Sequence, residues 1–276
     1  MQIVRCISAL TTFSLLMITV FIAASDLLRE RKTGVIAYVC DESRSMGAED
    51  KNGVPRIERC KDAIGKLDKF PDTHIALYGF TDRAASHSSF SRDHTYFRKT
   101  VSNLVAIEAV PGSGSDIGFS LITVIEDVAE KREELGKKTG LVVLLSDGEN
   151  RGAPESAEKA LRLAGKSNVK IVAIGVGGDY PSRIPIYENG KLIGFEKDSK
   201  GNEFVTRLDE DTLRLIARES GGVYVHEEEI DEARAFIEKA LVLEKVKIEG
   251  AANPIIVYML MAAFVPLAIL KKYSVA

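Results

Sequence analysis

Three short segments of this chain carry oxygen-bearing side chains at spacings that suit metal chemistry. Residues 41–45 read Asp41-Glu42-Ser43-Arg44-Ser45, residues 112–116 read Gly112-Ser113-Gly114-Ser115-Asp116, and residues 146–150 read Ser146-Asp147-Gly148-Glu149-Asn150. In the first, Asp41, Ser43 and Ser45 stand at i, i+2 and i+4, a spacing that lets all of them face one concavity of a loop. Ser115 and Asp147 can join them if the three loops meet. Pooled, these side chains offer carboxylates and hydroxyls with no His or Cys. That hard, all-oxygen set suits Mg²⁺, Mn²⁺ or Ca²⁺ rather than Zn²⁺. Taken singly, each residue is more simply a helix cap or a turn former, and D-x-S-x-S alone is a weak pattern. Asp116 reads as the N-cap of the long amphipathic stretch that follows it. The cluster gains weight only if the flanking elements bring the loops together.

Those elements alternate in kind. Residues 34–40 (GVIAYVC) and 139–146 (TGLVVLLS) are apolar, branched runs that lead straight into two of the loops. Residues 73–80, 169–176 and 222–226 are strand-like as well. Residues 56–70, 94–104, 116–134, 154–165, 209–220 and 231–243 read as helices, several with an apolar stripe at helical spacing. Pro154 suits a first turn, and Asp209 is a natural N-cap for a helix that ends in Gly221-Gly222. Continuous rather than alternating apolar strands, interleaved with helices, predict a doubly wound α/β fold with a mainly parallel sheet covered on both faces. Ligands of such sheets sit beyond the carboxyl ends of the strands, where all three loops lie. Residues 180–207 break the alternation. Asn189-Gly190 between two strand-like runs is a hairpin signal, and residues 198–202 look like a second turn, so a small β-meander is expected there.

This domain is expected over 34–245, between two end segments, 1–33 and 246–276. Residues 6–24 and 251–270 contain no charge, and each is near the roughly 20 residues a helix needs to cross a bilayer. Basic residues follow both, Arg29, Arg31 and Lys32 after the first and Lys271-Lys272 after the second. A core would struggle to cover such runs at the chain ends, so the chain reads as a two-pass membrane protein. Arg5, the first run and Ala23-Ala24-Ser25 also fit a cleavable signal peptide, which would leave one pass. Counting positive charges near the membrane leans towards a cytoplasmic domain. A short basic start ahead of an apolar run, however, is what a signal-anchor looks like, and long domains translocate with little regard to charge. The domain is therefore expected outside the cytoplasm. With 37 Lys plus Arg against 40 Asp plus Glu, the net charge of −3 argues against a protein that grips nucleic acid. At 45% hydrophobic and 28% charged the composition is that of a folded protein. The 3 Cys cannot build a disulfide framework. Cys40 and Cys60 read as buried small apolar residues.

VCDESRSM, GSGSDIG and LLSDGEN, in that order, resemble the von Willebrand factor type A (VWA) family and its metal-ion-dependent adhesion site, MIDAS. The resemblance covers nearly all of the region between the apolar ends and implies a Rossmann-like VWA fold. More narrowly, the chain is similar to prokaryotic membrane VWA proteins of aerotolerance-type operons, also called calcium-activated-channel homologues. Glu49-Asp50, Pro55-Arg56, Lys61, Ile184-Pro185-Ile186, Leu208-Asp209-Glu210 and Gly221-Gly222-Val223-Tyr224 carry that narrower likeness. The resemblance implies that Ser43 and Ser45 coordinate a metal directly and that Asp41 and Asp147 hold it largely through water. Ser115 stands where the family most often has Thr, and Arg44 where it commonly has Gly. Mostly neutral donors would leave Mg²⁺ much of its charge and an open position for a carboxylate of a partner protein, which is recognition and not catalysis. Other membrane VWA proteins and a MoxR-type AAA+ ATPase are the partners this likeness implies.

A rival reading is a metal-dependent phosphohydrolase-like enzyme with Asp41 as nucleophile. Against it, Ser43 stands where a second acid is needed, and no Lys or Arg follows in a phosphate-binding motif. His74, His87, His94 and His226 lie outside the three loops and read as surface or boundary residues. A channel is disfavoured, because apolar runs without a charged residue offer no pore lining.

Overall fold

Branched aliphatic side chains dominate the runs that become strands, because they fill both faces of a buried sheet. The structure, a computed structural model, describes residues 30–112, 114–198 and 200–245. In chain order the elements are β1 (Glu30–Thr33), β2 (Val35–Asp41), α1 (Arg56–Leu67), β3 (His74–Phe80), β4 (Ala84–Ser91), α2 (His94–Leu104), α3 (Ile117–Glu134) and β5 (Gly140–Ser146). They continue with α4 (Pro154–Ser167), β6 (Val169–Gly175), β7 (Ser182–Arg183), β8 (Pro185–Glu188), β9 (Lys191–Phe195), β10 (Val205–Thr206), α5 (Glu210–Glu219), β11 (Val223–His226), α6 (Ile230–Ala240) and β12 (Val242–Lys245). Lys32–Val242 forms one compact unit.

The main sheet has 6 strands in the order β11-β6-β5-β2-β3-β4. Neighbours are parallel from β11 to β3, and β4 is antiparallel to β3. Helices cover both faces. On one, Ile36, Tyr38, Leu141 and Val143 pack against α1, α2 and α6 through side chains such as Ile64, Phe97 and Ile237. On the other, Val35, Val39, Val142 and Leu144 pack against α3, α4 and α5 through Leu121, Val124, Ala164 and Leu213. Asp93, Asp116 and Asp209 cap their helices by accepting from the Tyr96, Phe119 and Thr212 amides at 2.8, 2.8 and 3.3 Å. Asp116 is thus the cap its position suggested.

The inserted segment is a meander as expected. Asn189 (φ 52°) and Gly190 (φ 75°) are both left-handed, as a two-residue type I′ hairpin requires. The Asp198 carboxylate accepts from the Lys200 and Asn202 amides at 2.8 and 2.9 Å and forms the second turn. Three features differ from the sequence reading. β4 was not foreseen, because AASHSSFS has no apolar run. It is an antiparallel edge strand, where only one flank needs a partner. The last helix stops at Ala240 rather than 243, and the apolar residues beyond it enter β12. That strand pairs with β1, likewise unforeseen. Cys40 and Cys60 are buried free thiols. The apolar runs 6–24 and 251–270 lie outside the described residues. Among the described residues no helix is long and apolar enough to cross a membrane.

Candidate metal centre

Because β2 and β5 are parallel neighbours in register, the loops that follow them emerge side by side. In the first, the Ser43 amide donates to Asp41 Oδ1 at 3.0 Å. The chain then winds into a single 3₁₀ turn, Arg44–Gly47, anchored by the fully buried Met46. This brings the Ser43 and Ser45 hydroxyls to 3.0 Å from each other. In the loop after β5, the Ser146 hydroxyl donates to Asp41 Oδ2 at 2.7 Å and accepts from the Gly148 amide at 2.9 Å. Gly148 has φ +76°, and a Cβ there would collide with the Asp209 backbone. Glycine therefore lets α5 close on the loop, and the Asp209 amide donates to the Asp147 carbonyl at 2.7 Å. The third loop is pinned to the second, since the Arg151 amide donates to the Ser115 carbonyl at 2.7 Å and Asn150 Oδ1 accepts from the Ile117 amide at 3.2 Å.

Asp41 and Asp147 are 0% exposed, Ser45 and Ser115 5%, and Ser43 7%. The serines lie at the foot of a cleft of about 610 Å³, whose other walls include Arg151, Glu196 and Phe204. Burial pushes the Asp41 carboxyl up from its ordinary 3.8 to about 7, and the Asp147 charge adds to this, against the Ser146 and Ser43 hydrogen bonds. Asp147 is raised too, by burial first, while the Arg56 guanidinium and the Ser45 hydroxyl pull it down. Two buried carboxylates held above their usual range form a site short of positive charge, and a bound cation would reverse both shifts. Ser115 Oγ is buried with no hydrogen-bond partner in the protein, an uncommon state for a buried hydroxyl. Among the described residues no group of three His, Cys, Asp or Glu could hold a metal, so a cation here relies on the serine hydroxyls. That donor chemistry fits a hard divalent ion.

Two features escaped the reading of the loops. Arg56 is 0% exposed. Its Nη1 lies 2.8 Å from Asp147 Oδ2 and 3.0 Å from Thr206 Oγ1, and its Nη2 lies 2.5 Å from Asp50 Oδ2. One local signal existed, because a cation in the first turn of a helix opposes the helix dipole. Glu42, also 0% exposed, places Oε1 2.7 Å from His87 Nε2 and accepts from the Val110 amide at 3.0 Å. His87 is therefore a partner of the first loop rather than an ordinary boundary residue, and it sits on the unforeseen β4. The Arg44 side chain is paired with Glu108 at 2.7 Å.

A mainly parallel sheet with three helices on each face and an oxygen cluster at its carboxyl edge defines a doubly wound α/β domain. Residues 36–235 match the von Willebrand factor type A domain, and the chain belongs to that family. Its fold is similar to that of the conserved hypothetical protein BatB from Bacteroides thetaiotaomicron, with a TM-score of 0.67 and 22% identity over 75% of this chain and 98% of that one. It is also similar to an aerotolerance-related membrane protein from Bacteroides fragilis, with a TM-score of 0.64 and 24% identity over 75% and 99% of the two chains. Proximal thread matrix protein 1 of the mussel byssus, solved with zinc in its MIDAS motif, gives a TM-score of 0.50 and 17% identity over 76% of this chain and 48% of that one. Among curated proteins, an uncharacterized protein of Borreliella burgdorferi is 28% identical over 143 residues. The match spans 51% of this chain and only 40% of that relative.

Proposed function

We propose that this chain is a membrane-anchored module for metal-dependent protein–protein interaction. In this reading Asp41, Ser43, Ser45, Ser115 and Asp147 hold one Mg²⁺, with Mn²⁺ or Ca²⁺ as substitutes. The observation that carries it is the orphaned Ser115 hydroxyl, which lines one cleft with Ser43 and Ser45, whose loop is bonded to the buried Asp41 carboxylate. When bound, the ion supplies a Lewis-acidic position open to a partner's carboxylate. Ser43, Ser45 and Ser115 supply neutral oxygens, and the Ser43 amide and Ser146 hydroxyl orient Asp41. The phosphohydrolase reading is disfavoured because Ser43 stands where a second acid is needed, and Asp41 is fully buried beneath the serine hydroxyls. The interaction domain spans 34–245, with anchors in 1–33 and 246–276, and lies outside the cytoplasm. Its partners are other membrane VWA proteins and a MoxR-type AAA+ ATPase. The likeness to an aerotolerance-related membrane protein of Bacteroides fragilis supports the membrane assignment.

The test is capture of partners by the full chain in mild detergent, with Mg²⁺ and then with EDTA. Partners should be released by EDTA and lost in Asp147→Ala, with the circular dichroism spectrum unchanged. Equal capture under both conditions would place binding on another surface.

A further inference from the structure

We propose that Arg56 is a positioning residue for the metal centre, holding Asp147 in place and fastening the inserted meander to it. This rests on the metal-binding reading above. A fully buried arginine is rare, and it is tolerated only when its charge is paired. Here the charge is paired on two sides, by Asp147 and Asp50, although Nη2 meets Asp50 as an ion pair without a hydrogen bond. Nη1 bridges Asp147 Oδ2 at 2.8 Å and Thr206 Oγ1 at 3.0 Å. Nε and Nη2 reach Asp50 Oδ2 at 2.7 and 2.5 Å. Asp50 is itself fixed by Arg59 at 2.5 Å and by the Gly178 amide at 3.1 Å. Gly177, with φ +131°, lies so close to the guanidinium that a Cβ would press on it, so the backbone closes over the group.

Asp147 Oδ1 accepts from the Glu149 amide at 3.1 Å, which leaves its Oδ2 to be held by Arg56 and Thr206. Thr206 belongs to β10, which pairs with β7 at the base of the meander. The neighbouring Phe204 and Val205 line the metal cleft. One guanidinium therefore connects the carboxylate of the metal centre to the wall that a partner must meet.

Charge and positioning predict opposite outcomes when Arg56 is removed. By Coulomb's law alone, a cation lost from beside the site strengthens binding of another cation. A residue that orients a metal-holding group instead costs about 10–100-fold in metal affinity when it is removed. The experiment is calorimetric titration of Mg²⁺ and of Ca²⁺ into the full chain in mild detergent, for the wild type, Arg56→Met, Arg56→Lys and Thr206→Val. Thermal melting in EDTA records any cost to the fold separately. The expected results are a loss of Mg²⁺ affinity of at least about tenfold in Arg56→Met, partial recovery in Arg56→Lys, and a smaller loss in Thr206→Val. Ca²⁺, which accepts looser geometry, should lose less, so the Mg²⁺ to Ca²⁺ affinity ratio falls, a change that mere destabilisation does not produce. Unchanged or tighter Mg²⁺ binding in a folded Arg56→Met overturns the role. If that variant does not fold, Arg56→Lys decides, because it keeps the buried charge but not the planar fork that joins Asp147 to Asp50, and a Mg²⁺ affinity equal to that of the wild type overturns the role. A wild type that binds no Mg²⁺ overturns the metal reading itself, whereas a wild type that binds, with variants equal to it, overturns only the part given to Arg56.

Discussion

Asp41→Asn should make the metal-free domain more stable while abolishing its metal binding. Asp41 is fully buried, and its carboxyl is raised from 3.8 to about 7. A carboxyl raised in the folded state contributes its stability below the unfolded value, and that contribution is lost as pH rises through the folded one. The rise corresponds to roughly 4 kcal/mol of cost to the ionised fold once both states are deprotonated. Asn mimics the neutral carboxyl. Its oxygen keeps the bond from the Ser43 amide, and its NH₂ can donate to the Ser146 hydroxyl, which rotates to accept. The variant should therefore be more stable by about 4 kcal/mol at pH 8, by about 2 kcal/mol at pH 5, and by almost nothing at pH 3. Urea unfolding of a fragment spanning 30–245 in EDTA, followed by circular dichroism at these three pH values, measures the difference. Mg²⁺ at a hundred times its dissociation constant should stabilise the wild type by about 2.7 kcal/mol and leave Asp41→Asn unmoved. A variant that is no more stable at pH 8, or a difference that ignores pH, would refute the reasoning that Asp41 is held in a charge-deficient site.

The same raised carboxyl makes Mg²⁺ binding pH-dependent, because the Asp41 proton must leave before the ion enters. Affinity should fall by up to about tenfold per pH unit below 7 and level off above it, and calorimetry in buffers of different ionisation enthalpy should show proton release at pH 6 that vanishes by pH 9. Ser115→Ala should weaken Mg²⁺ binding with almost no change in melting temperature, since that hydroxyl has no partner in the protein to lose. Ser115→Thr should bind at least as well, because the added methyl restricts χ1. Arg44→Glu should slow partner association more than it speeds dissociation, and surface plasmon resonance at low and high salt separates the two. The Arg44 side chain is 62% exposed and already paired with Glu108, so a change of a few fold is expected.

Much of the architecture could be read before the structure, for a physical reason. Buried parallel strands such as β2 and β5 are continuous apolar runs, and the loops carrying Asp41 and Asp147 follow them directly. Asn189-Gly190 fixes its hairpin through local backbone preference alone. β4 was invisible because an edge strand with one exposed flank tolerates the Ser-rich AASHSSFS. The end of α6 was misplaced because Leu241 and Leu243 continue an apolar pattern after the chain has turned into β12. The hydroxyls and carboxylates of the three loops stand out by spacing in the sequence, but the contacts that hold them do not. Arg56 reaches Asp147 across 91 residues of sequence, and His87 reaches Glu42 across 45. Contacts of that separation depend on how helices and loops pack, and the only local hint of either was a cation in the first turn of α1.

The central claim is that Asp41, Ser43, Ser45, Ser115 and Asp147 form one divalent-cation site. Titration of Mg²⁺ into the EDTA-treated, dialysed chain at pH 8 tests it most directly, with wild type, Ser43→Ala and Asp41→Ala side by side. The account predicts one ion per chain for the wild type, a marked loss of affinity in Ser43→Ala and no detectable binding in Asp41→Ala, with all three folded by circular dichroism. Equal binding in all three, or no binding in a folded wild type, would contradict it.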